Sequence, residues 1–335
     1  MSWLQTKRAT LWHGNALDVY EQLSPASFEL VISDGPYGIG KDRQWDPGSV
    51  DALPELYEPH VAAWGRLCKP AASVYLWGTA ASWAAVHPAV LAHGWRFRAL
   101  VTWDKTNTPV LSSDYDALRT WPDATEVAGF YQREPDETDL WNTYGERHPA
   151  RLAMRQALDA SGLTLQQVDQ RLGVSDMARH WFTWSQWCLP SEHRWEQLSR
   201  LMPVPALAEL REMHDQVWSA YVRQRDAQRA PFTLPHGVTN VWRHPLVSGG
   251  ERLRAADGST LHPCQKPLSF YRRMIRASTR PGAQVLEPFG GTCRAAVAAQ
   301  QVGDRHAVCV EMNEVYLRAV RPALQFVPPA GGLFE

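Results

Sequence analysis

The chain has 335 residues, 44% hydrophobic and 21% charged, with 34 Lys plus Arg against 35 Asp plus Glu. That length suits one large core, or one core with a smaller satellite domain, and the composition argues against disorder. No apolar run approaches the ~18 residues a membrane helix needs. The opening MSWLQTKRAT lacks the apolar centre of a secretory signal, and Cys68, Cys188, Cys264, Cys293 and Cys309 form no C-x-x-C pair. The expectation is a cytoplasmic protein without a disulfide framework, a metal site or a membrane segment.

In chain order, FELVISD (28–34) reads as a short buried strand ending on a polar residue before Gly-Pro-Tyr-Gly. A helix follows and stops before Pro70, then a strand at 73–79, a helix at 83–94 closed by Gly94, and a strand at 95–104. Strands separated by helix-length stretches predict βαβ units and a mainly parallel sheet. The pattern breaks after residue 133, where an acidic, weakly periodic run leads into a mainly helical block from Ala150 to about Gln228. Sheet signals return late: a helix from Lys266 to before Pro281, a strand-loop at 283–291, a helix closed by Gly303, and a strand-loop at 306–313.

The helical block carries its own pattern. RLAMRQALDA is followed by Ser161-Gly162; Thr164 is placed to cap LQQVDQRLG; after Gly173-Val174, Ser175 is the expected cap of SDMARHWF. Two short helices around a glycine turn and then a third suit a helix-turn-helix, and equally a plain bundle. Trp181, Trp184, Trp187 and Trp195 are read as core rather than as base-stacking groups. Charge is segregated: seven acids against two basic residues over 121–150, eleven Lys or Arg against three acids over 223–280. A net charge of −1 is thus compatible with a basic face for phosphates.

Two strand ends can carry chemistry. Asp34-Gly35-Pro36-Tyr37-Gly38 offers a carboxylate, backbone carbonyls and a ring, a slot for a flat polar group with an exocyclic NH2; it also suits an ordinary turn. Glu287-Pro288-Phe289-Gly290-Gly291-Thr292 allows close backbone approach to a ligand, and it matches neither G-x-G-x-x-G nor a P-loop. Glu311, ending the next strand, is placed to receive two ribose hydroxyls.

Together these two segments resemble the amino-methyltransferases of DNA, with their Asp-Pro-Pro-Tyr catalytic motif and Asp-Pro-Phe-x-Gly-(Ser/Thr) cofactor motif. The order, catalytic segment first, is similar to the permuted β class. His262-Pro263-Cys264-Gln265-Lys266-Pro267 resembles the run that precedes the cofactor loop in that class, and Trp103-Asp104-Lys105 and Gly14-Asn15-Ala16-Leu17 resemble related segments. The resemblance implies an α/β fold: a Rossmann-like methyltransferase domain from 1–133 and 238–335, with a helical target-recognition insert at 134–237. It implies S-adenosylmethionine as cofactor and double-stranded DNA as substrate. Glu287, Phe289, Gly290, Gly291 and Thr292 would surround the methionine part, Glu311 would bind the ribose, and Gln265, Lys266 and Pro267 would close over the cofactor. Asp34 and Pro36 would orient the target amine while Tyr37 stacks on the flipped base. Gly35, Cys264 and Glu287 depart from the usual Pro, Thr and Asp without removing an acceptor.

The resemblance favours adenine N6 over cytosine N4, because Asp rather than Ser stands in the slot. It suggests a homodimer and a cognate restriction endonuclease as partners. Methyl transfer to RNA or a protein amide, and an inert helix-turn-helix DNA-binding protein, are the other classes weighed.

Overall fold

The computed structural model describes residues 2–41, 45–106, 121, 123–133, 146–184, 187–234, 236–255 and 257–325. The acidic run at 134–145 and part of the segment 175–187 therefore lie outside the described residues. The chain divides into two compact units, Met1–Glu134 with Arg229–Glu335, and Pro135–Gln228.

The first unit is built on nine strands: β1 Leu4–Gln5, β2 Ala9–His13, β3 Phe28–Ser33, β4 Cys68–Gly78, β5 Arg96–Asp104, β6 Thr125–Gln132, β7 Val241–Arg243, β8 Gln284–Glu287 and β9 His306–Glu311. They form one sheet in the order β1-β2-β9-β8-β3-β4-β6-β5-β7. Its centre, from β2 through β9, β8 and β3 to β4, is parallel. β6 runs antiparallel between β4 and β5, so β5 is not the next parallel strand after β4, as the βαβ reading of 73–104 expects. All six residues of β3 are buried, as a strand covered on both faces requires.

The two faces of β3, whose register shifts between Phe28 and Leu30, sort the helices. Leu30 and Ile32 pack with residues of helices α9 Leu268–Ser278, α10 Arg294–Val302 and α11 Glu314–Gln325. Phe28 and Val31 pack on the other face with α1 Ala16–Tyr20, α2 Leu53–Leu67 and α3 Ala80–Ala92. The connection from β3 to β4 runs through α2 on one face, and that from β8 to β9 through α10 on the other. The adjacent pair β3 and β8 is therefore where the strand order reverses, and the crevice at its carboxyl edge is the natural ligand position.

The second unit holds α4 Pro149–Ser161, α5 Leu165–Leu172, α6 Ala178–Phe182, α7 Glu192–Ser199 and α8 Leu207–Gln228 around a core that includes Met154, Val168, Trp181 and Leu198. Gly162 (φ +66°) and Gly173 (φ +63°) close α4 and α5 in the left-handed region that favours glycine. Thr164 and Gln167 make a reciprocal capping box on α5. Ser175 does not cap the third helix: α6 starts three residues later, without a side-chain bond from its N-cap Met177. Asp169 takes over that role from α5, its Oδ1 accepting the Ala178 amide at 2.8 Å. Trp181 and Trp187 are buried, Trp195 donates to the Pro205 carbonyl, and Trp184 is exposed.

Candidate active site

A cavity of about 850 Å³ opens at the β3/β8 crevice. Its wall includes Asp34, Pro36 and Tyr37 after β3, Phe289 to Thr292 after β8, Glu311 at the end of β9, and Gln265 and Lys266 before α9. Segments more than 200 residues apart in the chain thus meet because their strands are neighbours.

Asp34 anchors a cluster of four charges. Its Oδ1 lies 2.8 Å from the Tyr37 hydroxyl and 2.5 Å from Lys266 Nζ. Lys266 Nζ also reaches the Tyr37 oxygen at 2.6 Å and Glu126 Oε2 at 3.1 Å. Glu126 Oε1 is held by Lys105 Nζ at 2.9 Å. Burial works against the Lys266 ammonium, but Asp34 and Glu126 outweigh it and raise the pKa. Burial likewise disfavours the Glu126 carboxylate, yet Lys266 and Lys105 hold its pKa below the usual value. Tyr37 is driven well above the ordinary phenol range by burial and by both carboxylates, so it stays protonated. Lys266 therefore belongs to this cluster, facing Asp34. Glu126 carries no motif, and nothing in the local pattern of β6 singles it out.

The backbone of the slot is packed from behind. Tyr57 donates to the Pro36 carbonyl at 3.2 Å, and its ring lies 5.7 Å from that of Phe289. A Cβ on Gly35 would stand 2.5 Å from the Tyr57 hydroxyl and 2.7 Å from Phe289 Cδ2. Glycine at this position is a steric requirement. The His60 ring centroid is 4.8 Å from that of Phe289, and burial lowers the His60 pKa to about 4, leaving a neutral imidazole in the cavity wall.

The loop after β8 approaches its neighbours closely. A Cβ on Gly290 would meet the Val310 carbonyl at 2.9 Å. Glu311 takes the Gly291 amide on Oε2 (2.5 Å) and the Asn313 amide on Oε1 (2.7 Å), which fixes the carboxyl at the cavity wall. Gln265 is buried, its amide spanning Leu253 N (2.9 Å) and the Glu251 carbonyl (2.7 Å). Pro267 is the N-cap of α9 and lies off the cavity wall.

Glu287 also lies off that wall, beneath the loop. It is fully buried and accepts from the Ala295 amide at 3.1 Å and Cys309 Sγ at 3.0 Å, tying the loop to α10 and β9. Burial pushes its pKa up to about 8 against those bonds, so the group is mostly neutral at pH 7 and does not repel a phosphate as an ionised side chain would. The folded protein keeps this proton, whereas the unfolded chain releases it near pH 4.5. The contribution is complete below that value and is lost as pH rises through about 8. Glu287→Gln, which removes the charge, is expected to gain Tm relative to the parent by roughly 4 °C or more between pH 6 and pH 9. Thermal denaturation at constant ionic strength measures it, and a pH-independent gap would contradict the assignment.

Within the basic run at 223–280, four side chains are tied down. Lys266 is buried, Arg243 pairs with Asp104, Arg225 with Asp226, and Arg280 with Glu29. Among the described residues no group of three His, Cys, Asp or Glu is placed to hold a metal ion, and no helix is long and apolar enough to cross a membrane.

Over 90 residues the chain is 31% identical to the Type II methyltransferase M.HinfI of Haemophilus influenzae, a match covering 27% of this chain and 25% of that protein. The chain thus spans about a quarter of the length of this curated relative. The solved M1.HpyAVI–SAM complex aligns with TM-score 0.52 at 13% identity, over 95% of this chain and 100% of that one. The PvuII DNA methyltransferase (cytosine-N4-specific) aligns with TM-score 0.55 at 13% identity, over 98% and 89%. Both likenesses are of fold, and they agree with a Rossmann-like sheet. The family model N6_N4_Mtase, DNA methylase, matches residues 28–322, from β3 into α11. A match running through the Asp34 slot, the Gly290–Thr292 loop and Glu311 shows that the chain belongs to the N6/N4 DNA methylase family.

Proposed function

We propose that the chain transfers a methyl group from S-adenosylmethionine to the exocyclic N6 of an adenine flipped out of double-stranded DNA, in the cytoplasm. The observation that carries this reading is the shared wall of one cavity: the Asp34 carboxylate with the Tyr37 ring on one side, the Phe289–Thr292 loop with Glu311 on the other. The residues fit the cofactor. Gly290 and Gly291 let backbone approach it, Glu311 offers a fixed carboxyl for ribose hydroxyls, and a neutral His60 beside Phe289 adds no repelling charge.

When bound, S-adenosylmethionine supplies an electrophilic methyl group. The rest falls to the chain. The amine lone pair is delocalised into the base, so the protein must favour pyramidal nitrogen and hold it in line with the methyl. Asp34 accepts one N–H of the amine; the Pro36 carbonyl, already bonded by Tyr57, has a second lone pair for the other. Tyr37 stacks on the base, and its retained proton keeps the ring neutral. After methyl transfer the nitrogen gives up a proton along its hydrogen bond to the Asp34 carboxylate, and no cysteine attacks the base.

The reading extends to target recognition by residues 134–237, with α5 and α6 as a helix-turn-helix joined through Asp169, and to a homodimer and a cognate restriction endonuclease as partners. Modification mapping of genomic DNA from cells expressing the chain tests base and sequence together. N6-methyladenine at a defined site is expected. N4-methylcytosine alone overturns the choice of base, since both amines present the same donors to Asp34, and no methylated base overturns the activity.

A further inference from the structure

Lys266 occupies Oδ1 of the carboxylate that the proposed reaction needs as its acceptor. Its side chain is 1% exposed, and its three N–H donors meet Asp34 Oδ1, the Tyr37 oxygen and Glu126 Oε2. The ring faces of Tyr37 and Trp77 each stand 5.1 Å from Nζ. An ammonium and an exocyclic amine are guests of one kind, N–H donors seeking a carboxylate.

We propose that Lys266 is the resting occupant of the Asp34 slot, displaced from Asp34 by the incoming target amine, and that Glu126 is the second seat that keeps the ammonium paired meanwhile. This rests on the reading of Asp34 as the amine's acceptor. Three features of the geometry carry it. Asp34 Oδ1 and Glu126 Oε2 both lie within hydrogen-bond reach of Nζ and of the Tyr37 hydroxyl, so leaving Asp34 breaks one of three bonds and keeps two. Glu126 is held from the far side by Lys105 on Oε1, so the second seat stays in place. The two carboxylates and two ammoniums balance, and the exchange keeps the buried ammonium paired with Glu126 while an amine N–H takes its place on Asp34. No covalent bond changes. After transfer the amine has one N–H fewer than the substrate, competes less well for Asp34, and the ammonium returns, which favours product release. Lys266 and Glu126 are on this account positioning residues.

The test is a double-mutant cycle on the full chain, with DNA carrying the mapped site, steady-state kinetics, and S-adenosylmethionine binding by calorimetry. Glu126→Gln keeps the acceptor atom but removes its charge, so the ammonium stays on Asp34. The KM for DNA is expected to rise about tenfold, with kcat within about threefold and cofactor affinity unchanged. In a Lys266→Met background the same change is expected to move KM less than about twofold, because no ammonium needs the seat. Lys266→Gln replaces Lys266→Met in the cycle if the latter does not fold. Equal KM effects in both backgrounds, or cofactor affinity falling in parallel, overturn the exchange. Asp34→Ala run alongside separates the two levels: full transfer in that variant removes the slot reading itself, whereas lost transfer with additive KM effects removes only the exchange.

Discussion

Replacing Asp34 by alanine is expected to lower methyl transfer by about a thousandfold or more, while S-adenosylmethionine affinity changes less than about threefold. The carboxylate is the proposed acceptor just after the carboxyl end of β3, and its hydrogen bonds are with Tyr37 and Lys266, not with the Gly290–Thr292 loop or Glu311. Its loss therefore leaves the cofactor wall in place. The fold is also expected to persist, because Lys266 keeps Glu126 at 3.1 Å and its ammonium stays paired. Asp34→Asn keeps an acceptor of the same shape without the charge and is expected to fall between the two. Single-turnover transfer of labelled methyl groups, with calorimetry of cofactor binding, measures both quantities. An alanine variant retaining more than a tenth of the parental rate would place the acceptor elsewhere.

Gly35→Pro, which installs the residue usual in the resembling motif, is expected to lower kcat by about a hundredfold. The added Cβ would stand 2.5 Å from the Tyr57 hydroxyl and 2.7 Å from Phe289 Cδ2, both in buried or cavity-wall positions with little room to retreat. The displaced groups matter: Tyr57 holds the Pro36 carbonyl, and Phe289 begins the loop proposed to hold the cofactor. A shift of the order of 1 Å at the slot is enough for an effect of that size. Tyr57→Phe removes the nearer atom, so the pair Gly35→Pro with Tyr57→Phe is expected to recover about tenfold of the loss. The ring of Phe289 remains, so recovery is partial. A single variant with parental kcat would mean that the slot yields more easily than its packing indicates.

Much of this architecture is legible in residue order. The buried run of β3, the helix ending near Pro70, and the two strand-loop segments around Glu287 and Glu311 follow from hydrophobic period and glycine placement, and the structure forms them with shifts of a few residues. β6 escapes because TEVAGFYQ is eight residues beside an acidic stretch, and its antiparallel insertion between β4 and β5 is a tertiary choice that no local period encodes. The same limit applies within the site. Asp34, Tyr37 and the Gly290–Gly291 turn announce themselves by motif. Glu126, Tyr57 and His60 do not, since each acquires its meaning only from what the sheet and α2 bring beside it. Ser175 is the instructive local case: serine before a helical run is a good cap in isolation, but Asp169 on the preceding helix supplies the bond from a distance that sequence spacing does not reveal.

The pairing of β3 with β8 also has a consequence in time. β3 ends at Ser33, and its neighbour begins at Gln284, about 250 residues later. At ribosomal speeds the central strand of a nascent chain waits roughly 10–50 s for one of its two partners. Throughout that interval the chain already carries Asp34 and Tyr37 but lacks Phe289 and Glu311, and for most of it Lys266 is missing too, so the proposed slot stands without the opposite wall of the cavity. The complete cavity wall then arrives only with β8 and β9, and β3, buried along its whole length in the folded sheet, lacks one of its two neighbours until they do.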